Sequence, residues 1–128
     1  MVNKVEIKTD KAPSAIGPYS QAVKTGNMLF ISGQIPIDPS TGDLDNLSFE
    51  IQVTRVFDNL KAICECSGAK LNDIVKLNLY LTDLSKFNIV NGIMMNYFDK
   101  PYPARATVEV SKLPKDVDFE ADAIVALK

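Results

Sequence analysis

Between Phe49 and Cys64 the apolar residues Phe49, Val53, Val56, Phe57, Leu60, Ile63 and Cys64 recur at helical spacing, while the segments on both sides alternate with a period of two. A chain that changes period in this way has to bury a helix stripe and a sheet face together, which restricts it to folds that mix helix and sheet. Ser48 stands where an N-cap is needed, and Gly68 stands where the helix has to stop. Next, Val75, Leu77, Leu79 and Leu81 alternate with Lys76, Asn78, Tyr80 and Thr82, the pattern of a strand with one apolar face. A second helix is predicted to carry Phe87, Val90, Ile93, Met94, Tyr97 and Phe98 on one side, ending near Asp99 ahead of Pro101 and Pro103.

The remaining segments read as strands and turns. Residues 104–110 alternate strictly, and after the SKLPKD turn a last strand runs from Phe119 to Leu127. Upstream, Val5 and Ile7 mark a short first strand, and residues 12–19, with two prolines, form an ordered loop. The runs 20–25 and 28–33 are joined by Gly26-Asn27, a hairpin signal, and IPIDPSTGDLDN is a surface connection. The order is β-β-β-α-β-α-β-β, an α+β pattern with a mixed sheet in a single domain spanning residues 1–128. Two amphipathic helices cover one sheet face. If the alternation holds, Tyr80, Ile124 and Ala126 share the other face with Arg105 and Glu120, and a face so apolar is expected to be buried against another subunit.

Composition narrows the chemistry. The formal net charge is −2 and no stripe of Lys or Arg occurs, so no electrostatic footprint for nucleic acid is present. The chain has no His, which rules out a His-based triad and deprives a zinc or haem site of its commonest ligand. Cys64 and Cys66 form C-x-C, neither a redox C-x-x-C nor half of a zinc site, and read as reduced helix residues. With no stretch long enough to span a membrane and no apolar core in MVNKVEIKTDK, the expected location is the cytoplasm. No P-loop, G-x-G-x-x-G or G-x-S-x-G motif occurs.

Arg105 is the first candidate for chemistry. It interrupts a strand between Ala104 and Ala106, and its planar fork matches a carboxylate; the plainer alternative is an ion pair with Glu109, Glu120 or Asp122. Glu120 lies between Phe119 and Ala121, so partial desolvation should raise its pKa and suit it to hold or deprotonate a water. Asp122 shares its face, and alternation does not decide between the two carboxylates; either could also simply solvate an edge strand. Tyr19 either presents its hydroxyl to a cleft or anchors its loop. Gly33, in Ser32-Gly33-Gln34, either admits a close backbone approach or marks a bulge.

Four blocks of the sequence resemble one family closely: APSAIGPYSQAV (12–23), SGQIP (32–36), the Phe87/Asn91 pair, and PARATVEVSKLPKDVDFEADAIVA (103–126). They are similar to the signature segments of RidA/YjgF proteins, the reactive intermediate deaminase or liver perchloric-acid-soluble family, from about residue 12 to the C-terminus. The P-A-R-x-x-V-E-V-x-x-L-P block is the most specific, and its Arg marks the deaminating branch. The resemblance implies a chorismate-mutase-like fold, with a six-stranded mixed sheet and two helices on one face. It implies a homotrimer with sites in clefts between subunits, and hydrolysis of 2-iminobutanoate, 2-iminopropanoate or the enamine 2-aminoacrylate to keto acids and ammonia, without metal or cofactor. Carried over to this chain, Arg105 grips the substrate carboxylate and Glu120 orients the attacking water. Tyr19, Phe87 and Asn91 line the cleft, and backbone groups at Gly33 and Thr107 contact the ligand. Thr107 is a departure, since many members carry Cys there. Two rival readings are a non-catalytic trimer that senses small carboxylic acids and a ribonuclease or translation inhibitor; the acidic balance and lack of His count against the second.

Overall fold

The computed structural model describes residues 3–128, so residues 1 and 2 of the expected 1–128 domain lie outside the described residues. Six strands form one sheet: β1 (Val5–Ile7), β2 (Ala22–Thr25), β3 (Met28–Gln34), β4 (Ile74–Leu81), β5 (Ala104–Glu109) and β6 (Phe119–Ala126). Their spatial order is β1-β2-β3-β6-β4-β5. Only β4 and β5 run parallel, because the connection between them is a helix, α2 (Phe87–Tyr97); the other pairs are antiparallel. The longer helix, α1 (Phe49–Cys66), begins where expected, with the Ser48 hydroxyl accepting from the Ile51 N–H at 3.1 Å. Gly68, at φ +79°, follows its C-terminus in the left-handed region that stops a helix.

One face of the sheet and the inner stripe of α1 make the core. Leu77, Leu79 and Leu81 of β4 and Phe119, Ala121, Ala123 and Val125 of β6 are buried beside Leu29 and Ile31 of β3. Val53, Val56, Phe57, Leu60 and Ile63 close over them from α1. Phe57 is the centre of an aromatic cluster, its ring 5.5 Å from Tyr97, 5.8 Å from Phe98 and 5.9 Å from Phe119. The register of β6 is tied to α1 at one point. The Gln52 amide donates to Asp118 Oδ2 at 3.1 Å and accepts from the Asp118 N–H at 2.8 Å, while Thr82 donates to Asp118 Oδ1 at 3.0 Å.

Three expectations are corrected. Val75 is not on the apolar face: a bulge between Ile74 and Lys76 puts Ile74 in the core and leaves Val75 44% exposed. Phe87 is not on the buried side of α2 but 41% exposed at its first residue, where a 3₁₀ turn, Leu84–Lys86, leads in. Arg105 does not share the open face with Tyr80 and Glu120. In the parallel register Arg105 lies beside Leu77 and Thr107 beside Leu79, on the helix-covered side, whereas Glu120 lies beside Tyr80. Strict alternation fixes which residues of a strand share a face, but not which face of the sheet they join.

Candidate active site

The candidate residues gather in two places on opposite faces of the sheet. The first lies where the edge strand β5 meets α2. The Arg105 guanidinium donates through Nη1 to Asn91 Oδ1 at 2.5 Å and to the Met94 sulfur at 3.4 Å. Among the described residues it has no carboxylate partner: Glu109 accepts from the Leu84 N–H, and Asp122 is engaged elsewhere. The ion-pair alternative therefore fails, and a guanidinium facing only neutral groups retains the capacity to bind an anion. Asn91 and Phe87 are one helical turn apart on α2 and so lie on one side of it. A cavity of about 500 Å³ opens here between Asn91, Met94, Met95, Lys100, Tyr102 and Arg105. Thr107, two positions beyond Arg105 on the same face, has a buried hydroxyl with no hydrogen-bond partner among the described residues.

The second place centres on Gly33 and Glu120. Gly33 lies at a register shift between β3 and β6, and a Cβ on it would stand 2.1 Å from Glu120 Oε2 and 3.1 Å from its Cδ. The register shift fits the reading of this glycine as a bulge, and its missing side chain is the space the Glu120 carboxyl fills. Burial raises the pKa of Glu120, and the nearby Asp122 carboxylate adds to the effect. Tyr19 arrives from the loop before β2. Gln21 staples that loop, accepting from the Thr9 N–H at 2.8 Å and donating to the carbonyls of Thr9, Ala12 and Pro13. Ser32 then ties it to β3 through the Ser20 carbonyl. Tyr19 lines a cavity of about 280 Å³ with Gly33, Gln34 and Lys115. Its hydroxyl accepts from the Ile16 N–H at 3.3 Å, so it anchors its loop and faces the cavity at once.

Sequence pattern missed three features. Met94 looked like core alone, yet its sulfur meets Arg105; its position three residues past Asn91 was the available signal. Lys100 and Tyr102, in a proline-flanked segment, gave no periodic signal at all. The contact between Gly33 and Glu120 joins residues far apart in the chain and had none.

An arginine without a carboxylate partner at a sheet edge and a half-buried glutamate on the opposite face are the two charged groups around which the candidate residues of this α+β protein gather. The sequence matches the family described as Endoribonuclease L-PSP over residues 9–127. It is 53% identical over 121 residues to a RutC family protein of Pyrococcus abyssi, covering 94% of this chain and 95% of that one. It is 46% identical over 121 residues to the 2-iminobutanoate/2-iminopropanoate deaminase of Escherichia coli K12, covering 92% and 94%. The solved structure of E. coli TdcF with bound serine superposes with a TM-score of 0.92 at 40% identity, covering 97% of this chain and 99% of that one. The chain belongs to this family, the RidA/YjgF proteins. Among the described residues no helix is long and apolar enough to cross a membrane.

Proposed function

We propose that this chain is a cytoplasmic imine deaminase, hydrolysing 2-iminobutanoate and 2-iminopropanoate, the latter also reached from 2-aminoacrylate, to 2-keto acids and ammonia. The observation that carries the reading is Arg105, a guanidinium without a carboxylate partner beside a cavity large enough for a small acid. Its fork takes the substrate carboxylate and fixes the imine carbon relative to the protein. Glu120 holds the water that attacks that carbon; the C–O bond forms as the C=N pair moves to nitrogen. Glu120 accepts a proton from the water and delivers it to the nitrogen, giving a carbinolamine; it then takes the hydroxyl proton and delivers that as well, so that the C–N bond breaks, ammonia leaves and the oxygen becomes the keto carbonyl. An imine carbon is already electrophilic, so placement and charge stabilisation suffice and no covalent intermediate with the protein is needed.

Arg105 and Glu120 lie on opposite faces of one sheet, with β4 between their strands. Two copies therefore have to combine, the Arg105–Asn91 half of one meeting the Tyr19–Gly33–Glu120 half of the next. This supports the homotrimer that the family resemblance implies. Phe87 and the backbone of Gly33 and Thr107 then complete the walls of the cleft. The bound serine of TdcF, itself a small carboxylic acid, supports the ligand class.

The test is ammonia and keto-acid release from 2-aminoacrylate and 2-iminobutanoate formed in situ by a threonine/serine dehydratase. Wild type should accelerate release over the spontaneous rate, and Arg105→Ala should not, while keeping its melting temperature. Absence of acceleration by wild type overturns the enzyme reading in favour of a small-carboxylate-binding regulator. A monomer by analytical ultracentrifugation overturns the shared site.

A further inference from the structure

Glu120 and Asp122 are two residues apart on β6 and face the same, helix-free side of the sheet, yet the protein treats them differently. Asp122 is held by two donors from β4: Asn78 Nδ2 reaches its Oδ1 at 2.7 Å, and the Tyr80 hydroxyl reaches its Oδ2 at 2.8 Å. Asn78 is the cross-strand partner of Asp122, but Tyr80 is the partner of Glu120 and leans away from it to bond Asp122. Among the described residues Glu120 receives no hydrogen bond and rests against the bare backbone of Gly33. Alternation alone left open which carboxylate matters; these contacts divide the labour. Asp122 is tethered on both oxygens, and Glu120 is free to engage a water.

We propose that Asp122, clamped by Tyr80 and Asn78, is a positioning residue that acts on Glu120 through its fixed negative charge. The proposal rests on the deaminase reading above. Glu120 has to take a proton from oxygen and deliver it to the nitrogen in each half of the reaction. A carboxylate that gave up its proton too readily would hold water well but return the proton poorly. A like charge on the same face opposes ionisation of Glu120 and moves it towards the range where both transfers run. Burial supplies the larger share of that effect and Asp122 the smaller. The hydrogen bond from Tyr80 to Asp122 also holds the phenol proton, pushing Tyr80 up to about 12, so Tyr80 does not compete as an acid or base.

Within one copy the other charged groups around Glu120 are few, and in the shared cleft proposed above Arg105 of the adjoining copy faces it as well, equally in wild type and in the Asp122 variants. On β4, Lys76 lies two positions from Asn78, opposite Ile124. At the start of β6, Asp118 is engaged by Gln52 and Thr82. Lys115 and Tyr19 border the cavity that includes Gly33. From β3 the neighbours Ser32 and Gly33 are uncharged, and from β5 so are Ala104, Ala106 and Val108.

The test uses the whole protein and three variants: Asp122→Asn, which keeps the shape and removes the charge; Asp122→Glu, which keeps the charge; and Asp122→Ser in case the amide variant does not fold. Two readouts are taken, the pH profile of kcat/KM and the titration of the Glu120 carboxyl by NMR with carbon-13-labelled glutamate. Loss of the charge should move the acidic limb of the profile and the Glu120 titration together to lower pH. Below the wild-type midpoint, the ratio of the Asp122→Asn rate to the wild-type rate should then be several-fold higher than the same ratio on the plateau, while Asp122→Glu keeps the wild-type profile. A rate lowered equally at every pH, or a Glu120 titration unmoved by the loss of charge, overturns the proposal. The titration needs no turnover. An inactive wild type in which Glu120 still responds to Asp122→Asn therefore sinks the deaminase reading and the catalytic role proposed here, while leaving the charge coupling measured.

Discussion

Gly33→Ala separates stability from chemistry at the proposed site. The added Cβ would meet Glu120 Oε2 at 2.1 Å and Cδ at 3.1 Å, and ordinary contact begins near 3.4 Å. The carboxyl oxygen must retreat by more than 1 Å, and turning the carboxyl about its last bond does not help, because Cδ is itself too close. The obstructing atom ends a flexible side chain, so the fold should tolerate the change; Gly33 is not among the positive-φ residues, so alanine adds no backbone strain. Stability should change by less than ~1 kcal/mol, the scale of a compatible glycine-to-alanine exchange. Catalysis should not tolerate it, since a displacement of about 1 Å in a positioned group can cost roughly 100-fold. The measurement pairs thermal unfolding with keto-acid release. A normal melting curve with turnover within twofold of wild type would refute the argument that Glu120 needs the space Gly33 leaves.

Three further outcomes follow from the structure. Lys115 holds φ 58° in the turn before β6, so Lys115→Gly should stabilise the protein to urea by roughly 0.5–1 kcal/mol, left-handed strain relieved less the entropy glycine loses. Phe57 is fully buried among three aromatic rings, and Phe57→Ala should cost about 3–5 kcal/mol in the same assay. Glu120→Gln should be more stable than wild type at neutral pH. Because burial raises the pKa of Glu120 in the folded state, the native protein binds its proton more tightly than the unfolded chain, and wild-type stability falls as pH rises through that window. Unfolding curves at several pH values should show the advantage of Glu120→Gln vanishing below the unfolded-state pKa; an advantage independent of pH would contradict the argument.

Local signals made much of the fold legible. In α1 the spacing of Val53, Val56, Phe57, Leu60 and Ile63, the Ser48 cap and the Gly68 stop all agree, so chain chemistry and burial say the same thing. Val75 shows where this reading ends. It continues the alternation of Leu77, Leu79 and Leu81, and only pairing with β6 creates the bulge that turns it outwards. Arg105 shows the same limit at the candidate site. Its alternation within β5 was plain, but its face depends on a parallel register set through α2. Glu120 stands out as a charge in an apolar strand, whereas the contacts of Gly33 and Asp122 depend on cross-strand neighbours that only the folded sheet supplies.

The Gln52–Asp118–Thr82 junction fixes the point from which β6 begins. It sets which residues of β6 point away from the helices, and a strand has only two choices. Inserting a single residue between Asp118 and Phe119 would exchange the two sides, driving Glu120 and Asp122 into the core and Phe119 out to solvent. Most surface connections drift in length at little cost. The step from Asp118 into β6 cannot, because a residue of α1, Gln52, holds the address from which Glu120 is delivered.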